Sequence, residues 1–170
     1  VNHYKKDYLE AEKWYLESQA IRERLLGKLH PDYALCLNNL AILYEDQKKL
    51  EKAEILYLES KAIREKALGK EHADYIVSLN NLANFYWEQG QYLKAEPYLV
   101  EAKDCRAKAL GKDHEDYALS LSFLSSLYKA MGHYDKAELY LLESKSRCEQ
   151  IFGKEHPTYA ISLNNLGILY

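Results

Sequence analysis

Valine is scarce in this chain and threonine occurs once, at Thr158. Leu, Ala, Glu and Lys abound instead, which leaves little material for sheet and much for helix. A basic excess is also lacking. The formal charge is −3 and the pI near 6.1, so nothing marks a nucleic-acid partner, and no block of like charge marks a disordered tail. No apolar run reaches membrane length, and the first residues do not read as a secretion signal, so a cytoplasmic protein is expected. The three cysteines, Cys36, Cys105 and Cys148, have no CxxC or zinc spacing. Cys36 stands where Ser78, Ser120 and Ser162 stand one, two and three periods later, a position that takes a small packing side chain.

What the chain does have is repetition. Gly27, Gly69, Gly111 and Gly153 are 42 residues apart, as are His30, His72, His114 and His156, and Tyr33, Tyr75, Tyr117 and Tyr159. Residues 28–69 and 70–111 are identical at 21 of 42 positions, too many for coincidence. A repeat of this size cannot bury its apolar face alone, so the chain is read as a stack of copies. The expected division is a half-repeat at 1–27, repeats at 28–69, 70–111 and 112–153, and a half-repeat at 154–170.

Each period reads as two amphipathic helices. The first runs from about Pro31 to Gln47, with Leu37, Leu40, Ala41 and Tyr44 as its buried stripe. His30 is its expected N-cap, Pro31 its first position, and Asp32 sits in the first turn near the positive dipole end. The second runs from about Leu50 to Leu68, packs through Ala53, Leu56, Tyr57 and Ser60, and ends at Gly69 in an expected left-handed cap. Pro97 falls near the start of its copy and predicts a tight first turn rather than a break. In this frame residues 1–3 finish a first-type helix and residues 4–27 form a second-type one.

The pattern Leu37-x2-Leu40-Ala41-x2-Tyr44 followed by Ala53-x3-Tyr57 resembles the tetratricopeptide repeat. It recurs as Leu79, Leu82, Ala83, Tyr86, Ala95, Leu99 and as Leu121, Leu124, Ser125, Tyr128, Ala137, Leu141. The long period and the LNNLA run at Leu37–Ala41 and Leu79–Ala83 look like the repeats of kinesin light chains. The resemblance implies an all-α, right-handed superhelical solenoid of antiparallel helix pairs whose first helices line a concave groove. It implies a non-catalytic scaffold for a protein or peptide segment. The expected groove residues are Asn38, Asn39, Asn80, Asn81, Asn84, Trp87, Phe123 and Lys129. Asn amides can donate to and accept from a peptide backbone, and Trp87 and Phe123 can anchor apolar side chains. Relatives that grip a peptide carboxylate use Lys or Arg on this face, whereas Leu35, Asn38, Asn39, Asn81, Asn84, Leu119 and Phe123 carry no cation.

No HExxH, P-loop, GxGxxG or GxSxG run occurs, so no catalytic residue, metal ligand or cofactor is expected. Carboxylates are spread over the helices, mostly beside Lys or Arg, and most of the sixteen tyrosines fall at packing phase. The second functional expectation is self-association. Ala11, Tyr15 and Leu16 at one end and Leu163, Leu166 and Tyr170 at the other are read as uncovered stripes of a piece of a longer array, able to join head to tail.

Overall fold

The structure, a computed structural model, describes residues 8–170. The expectations for residues 1–7, including the end of a first-type helix at residues 1–3, lie outside the described residues. The described residues form eight α-helices and no strand: α1 (Tyr8–Leu26), α2 (Pro31–Asp46), α3 (Leu50–Leu68), α4 (Ala73–Glu88), α5 (Tyr92–Ala109), α6 (Glu115–Ala130), α7 (Tyr134–Phe152) and α8 (Pro157–Leu169). Even-numbered helices are the first type and odd-numbered helices the second. The chain divides into two compact units, one reaching to Phe85 and the other running from Tyr86 to Tyr170.

The helix starts follow from histidine chemistry. The Nδ1 atoms of His30, His72, His114 and His156 accept from the backbone N–H two residues on, at 3.1, 3.1, 3.2 and 3.2 Å. Each satisfies one of the four N–H groups a helix start leaves without a partner. The imidazole here does what Ser or Asp does at most N-caps.

The first unit buries Leu37, Leu40, Ala41 and Tyr44 from α2 against Ala53, Tyr57 and Ser60 from α3, with Leu56 half-buried. Ser60 Oγ donates to the Ala34 carbonyl at 2.8 Å. The Tyr57 ring meets Phe85 with centroids 5.5 Å apart. The second unit repeats the plan with Leu121, Leu124, Leu127 and Tyr128 of α6 and Ala137, Leu141 and Ser144 of α7, and Ser144 Oγ donates to the Ala118 carbonyl at 3.1 Å.

Two local expectations change. Gly69 does have positive φ, 84°, but its ψ of 166° lies far from the left-handed helical region. That extended mirror region is open almost only to glycine and sends the chain straight toward the next cap at His72. Pro97 sits at the sixth position of α5, beyond the first turn, and the helix runs through it. The carbonyl it leaves without an amide belongs to exposed Leu93, where water can reach it. The turn after each first-type helix also needs positive φ, which Gly90 and Gly132 supply, while Lys48 holds it at 61° without being glycine.

Tyrosine hydroxyls and carboxylates form a periodic framework. Tyr44 donates to Glu12 at 2.7 Å and Tyr128 to Glu96 at 2.5 Å, and Tyr170 makes the same bond to Glu138. Each pair is 32 residues apart. Tyr57 donates to Glu45 and Tyr117 to Glu143, at 2.8 and 3.0 Å. These carboxylates therefore serve as acceptors for tyrosine hydroxyls.

Candidate functional site

Side chains of the even-numbered helices that point away from the buried stripe build the candidate face. In the first unit it begins with exposed Leu35 and Ile42 on α2 and continues with exposed Val77 and Asn84 on α4. The amides divide into two kinds. Asn38 is only 6% exposed, and its Oδ1 accepts from Asn81 Nδ2 at 2.6 Å, a short bond that ties α2 to α4. Asn39, Asn80 and Asn81 are half-buried, and only Asn84 is fully exposed. Asn80 Oδ1 is buried without a hydrogen-bond partner. In sequence, the residue one period after Asn81 is Phe123, which has no N–H to offer.

In the second unit the face carries Leu119 and Phe123 on α6 and Ile161 and Ile168 on α8, all exposed. Phe123 is 43% exposed, so a large ring is available on a face where the preceding copies carry amides. Lys129 is half-buried and donates to the Ile168 carbonyl at 3.0 Å, near the end of α8. Trp87 is half-buried, with its ring packed edge-on against Tyr92 at 5.3 Å. Trp87 thus spends part of its surface on its own unit.

The residues read as sticky ends are placed as follows. On α1, Ala11 and Tyr15 are half-buried and Leu16 is exposed, as are Leu9, Trp14 and Leu25. On α8, Leu166 is buried, whereas Leu163 is 44% exposed, against 0% for Leu121, its equivalent one period earlier. Tyr170 is exposed and tied by its hydroxyl to Glu138.

Sequence reading missed a second polar series, buried at Arg64 and Arg106 and half-buried at Arg22. Arg22, Arg64 and Arg106 are 42 residues apart. Arg22 donates to the Asp32 carbonyl at 2.8 Å, Arg64 to the Asp74 carbonyl and Ser78 Oγ at 3.1 and 3.0 Å, and Arg106 to Ser120 Oγ at 2.8 Å. Burial lowers the pKa of Arg64 and Arg106, and Asp74 and Asp116 oppose that shift. The 42-residue spacing of these arginines was the available signal.

All three cysteines are free and buried. Burial pushes the Cys148 thiol up, against a hydrogen bond from Ser144. Among the described residues no three His, Cys, Asp or Glu side chains gather to hold a metal ion, and no helix is long and apolar enough to cross a membrane.

The family described as tetratricopeptide repeat matches residues 1–66, 45–95 and 74–146. Two solved structures of a Podosopora anserina protein, described as a kinesin light chain with nearly identical TPR-like repeats, are similar at 26% identity. Their TM-scores are 0.80 and 0.81, over 96% of this chain and 77% of theirs. BtubC (BKLC) of P. vanneervenii shares the fold at TM-score 0.78 and 24% identity, over 98% of this chain and 66% of its own. No curated protein matches the sequence.

Proposed function

The chain belongs to the tetratricopeptide repeat family, a family of non-catalytic repeats that generally mediate protein–protein interaction, and from that premise we propose a scaffold that holds a peptide or protein segment in a concave groove lined by the exposed face of its first-type helices. The observation that carries this reading is the exposure of large apolar side chains there, Leu35 and Ile42 on α2 and Leu119 and Phe123 on α6, opposite a well-buried stripe. Exposed aromatic and aliphatic anchors with polar neighbours are what a binding face offers. Asn84 is the amide best placed to meet a partner's backbone, because Asn38 and Asn81 already satisfy each other. The cytoplasm is the proposed location and nucleic acid and membrane are not proposed partners. With a partner in hand, Phe123→Ala should weaken binding by tenfold or more, while circular dichroism stays unchanged. Unaltered affinity in both Phe123→Ala and Asn84→Ala would remove the basis of the reading.

A second reading is favoured by one observation, the exposed Leu163 on α8 together with Leu16 and Trp14 on α1. These helices could join between copies, head to tail. Sedimentation across protein concentration, repeated with Leu163→Glu, tests it: a mass that rises with concentration only in the parent chain supports the joint, and a constant mass rejects it.

A further inference from the structure

One period after Arg106 the guanidinium series stops, because residue 148 is cysteine. In the other copies the arginine reaches an acceptor ten or fourteen residues on: Arg22 the Asp32 carbonyl, Arg106 the Ser120 hydroxyl, and Arg64 both the Asp74 carbonyl and the Ser78 hydroxyl. The corresponding acceptors after Cys148 are the Thr158 carbonyl and Ser162 Oγ. Ser162 has rearranged accordingly. Where Ser78 and Ser120 donate to the carbonyl four residues back, at 3.1 and 2.9 Å, Ser162 donates three residues back, to Tyr159, at 2.7 Å.

The space is open. A cavity of about 400 Å3 lies within the second unit, walled by Cys148, Thr158 and Ser162 together with Ser122, Asn165 and Phe152. Phe152 forms part of its wall, packed against Ala118, Cys148 and Tyr159 with its ring stacked on His156 at a centroid distance of 4.5 Å. Glu115 and Asp116 also line the cavity, and no lysine or arginine does. Leu119 and Ile161 bring its mouth to the exposed face described above. The volume falls within the range of about 300–1,000 Å3 usual for ligand clefts.

We propose that this cavity receives an arginine side chain from a bound protein segment, which supplies in trans the guanidinium that the first three copies carry in cis. The planar fork matches paired carbonyl and hydroxyl acceptors, and the apolar wall suits its methylene stem. Two lining carboxylates favour a positive guest, Glu115 and Asp116, the second of which also faces the Arg106 charge. This inference rests on the groove reading and names the chemistry of one anchor within it.

The test uses N-acetyl-arginine methylamide as probe and its citrulline analogue, the uncharged isostere, as control, followed by amide chemical shifts of the chain. Saturable shifts at Thr158, Ser162 and Cys148, at least tenfold weaker for citrulline, are expected. Asp116→Asn should weaken the arginine probe several-fold, and Cys148→Arg should abolish its effect while raising the thermal midpoint by a few degrees. Should Cys148→Arg fail to fold, Ser162→Ala serves, with a several-fold loss expected. Equal response to both probes, or shifts unchanged in Asp116→Asn and Ser162→Ala, overturns the proposal. A partner that depends on Phe123 but ignores every change at the cavity would overturn this inference alone and leave the groove reading standing.

Discussion

The two compact units fill one sequence pattern differently. In the first, Asn81 donates to Asn38 and Arg64 Nη1 to the Asp74 carbonyl and Ser78 Oγ, while Arg64 Nε and Asn80 Oδ1 stay buried without partners. In the second, Phe123 stands exposed in the phase of Asn81, and Cys148 leaves the arginine's acceptors facing a cavity. Both units keep the histidine caps, the buried leucines and the tyrosine–carboxylate bonds. The lesson is that the repeat holds constant what builds a copy and varies what the copy presents. The open ring of Phe123 and the cavity beside Cys148 are the second unit's own variations on the shared plan.

That contrast can be broken at several places. The largest effect is expected at Arg64. Arg64→Ala empties a buried site and removes the donor to Ser78 Oγ, and should cost about 3 kcal/mol, whereas the more exposed Arg22→Ala should cost under about 1 kcal/mol. Urea midpoints of the two variants measure this. Next comes the amide pair: Asn81→Ala removes the donor to the buried Asn38 and should cost about 1–2 kcal/mol, while Phe123→Ala should stay within about 0.5 kcal/mol. Equal costs in thermal denaturation would erase the distinction between a self-satisfied face and an open one.

The shared framework places one raised tyrosine in each unit for comparison, at different positions of the repeat. Burial first, and then Glu12 or Glu143, pushes Tyr44 and Tyr117 up to about 12. An unfolded tyrosine loses its proton near pH 10, so between there and about 12 the native state keeps protons that the unfolded state releases. The contribution is full below about pH 10 and is lost as pH rises to about 12. Tyr44→Phe and Tyr117→Phe should each lower stability at pH 8 by about 1 kcal/mol and flatten the alkaline decline. A decline as steep as in the parent chain would show that other groups govern it. The smallest effect is expected at Lys48, whose positive φ suits glycine: Lys48→Gly should raise stability by up to about 1 kcal/mol, read as a higher thermal midpoint.

The helices, their starts and their buried stripes were legible because apolar periodicity and the histidine starts repeat at one interval. Tyrosine phase was legible too, but not its chemistry. Rings at packing positions hid hydroxyls that need acceptors, and the acceptors sit on the other helix type, 32 residues back at Glu12 and Glu96. The arginine series was hidden for a related reason: Arg64 belongs to a residue type usually on the surface, and only its three-dimensional neighbours reveal it as buried. The Asn run read as one row. Helix rotation separates Asn38, turned inward, from Asn84, turned out, and adjacent amides in a run cannot share one face.

The Asn38–Asn81 bond spans 43 residues, one period and one residue, and the Tyr–Glu bonds span 32. Ties of that reach require the chain to close only short loops, and closure entropy grows with loop length. Such a topology has low contact order, so folding is expected to be fast and able to begin at any copy that finds its neighbour. Unfolding then has a natural grain. A lesion in one copy should fray that copy and the one beside it, visible as locally lost amide protection, while exchange in the remote copies stays slow.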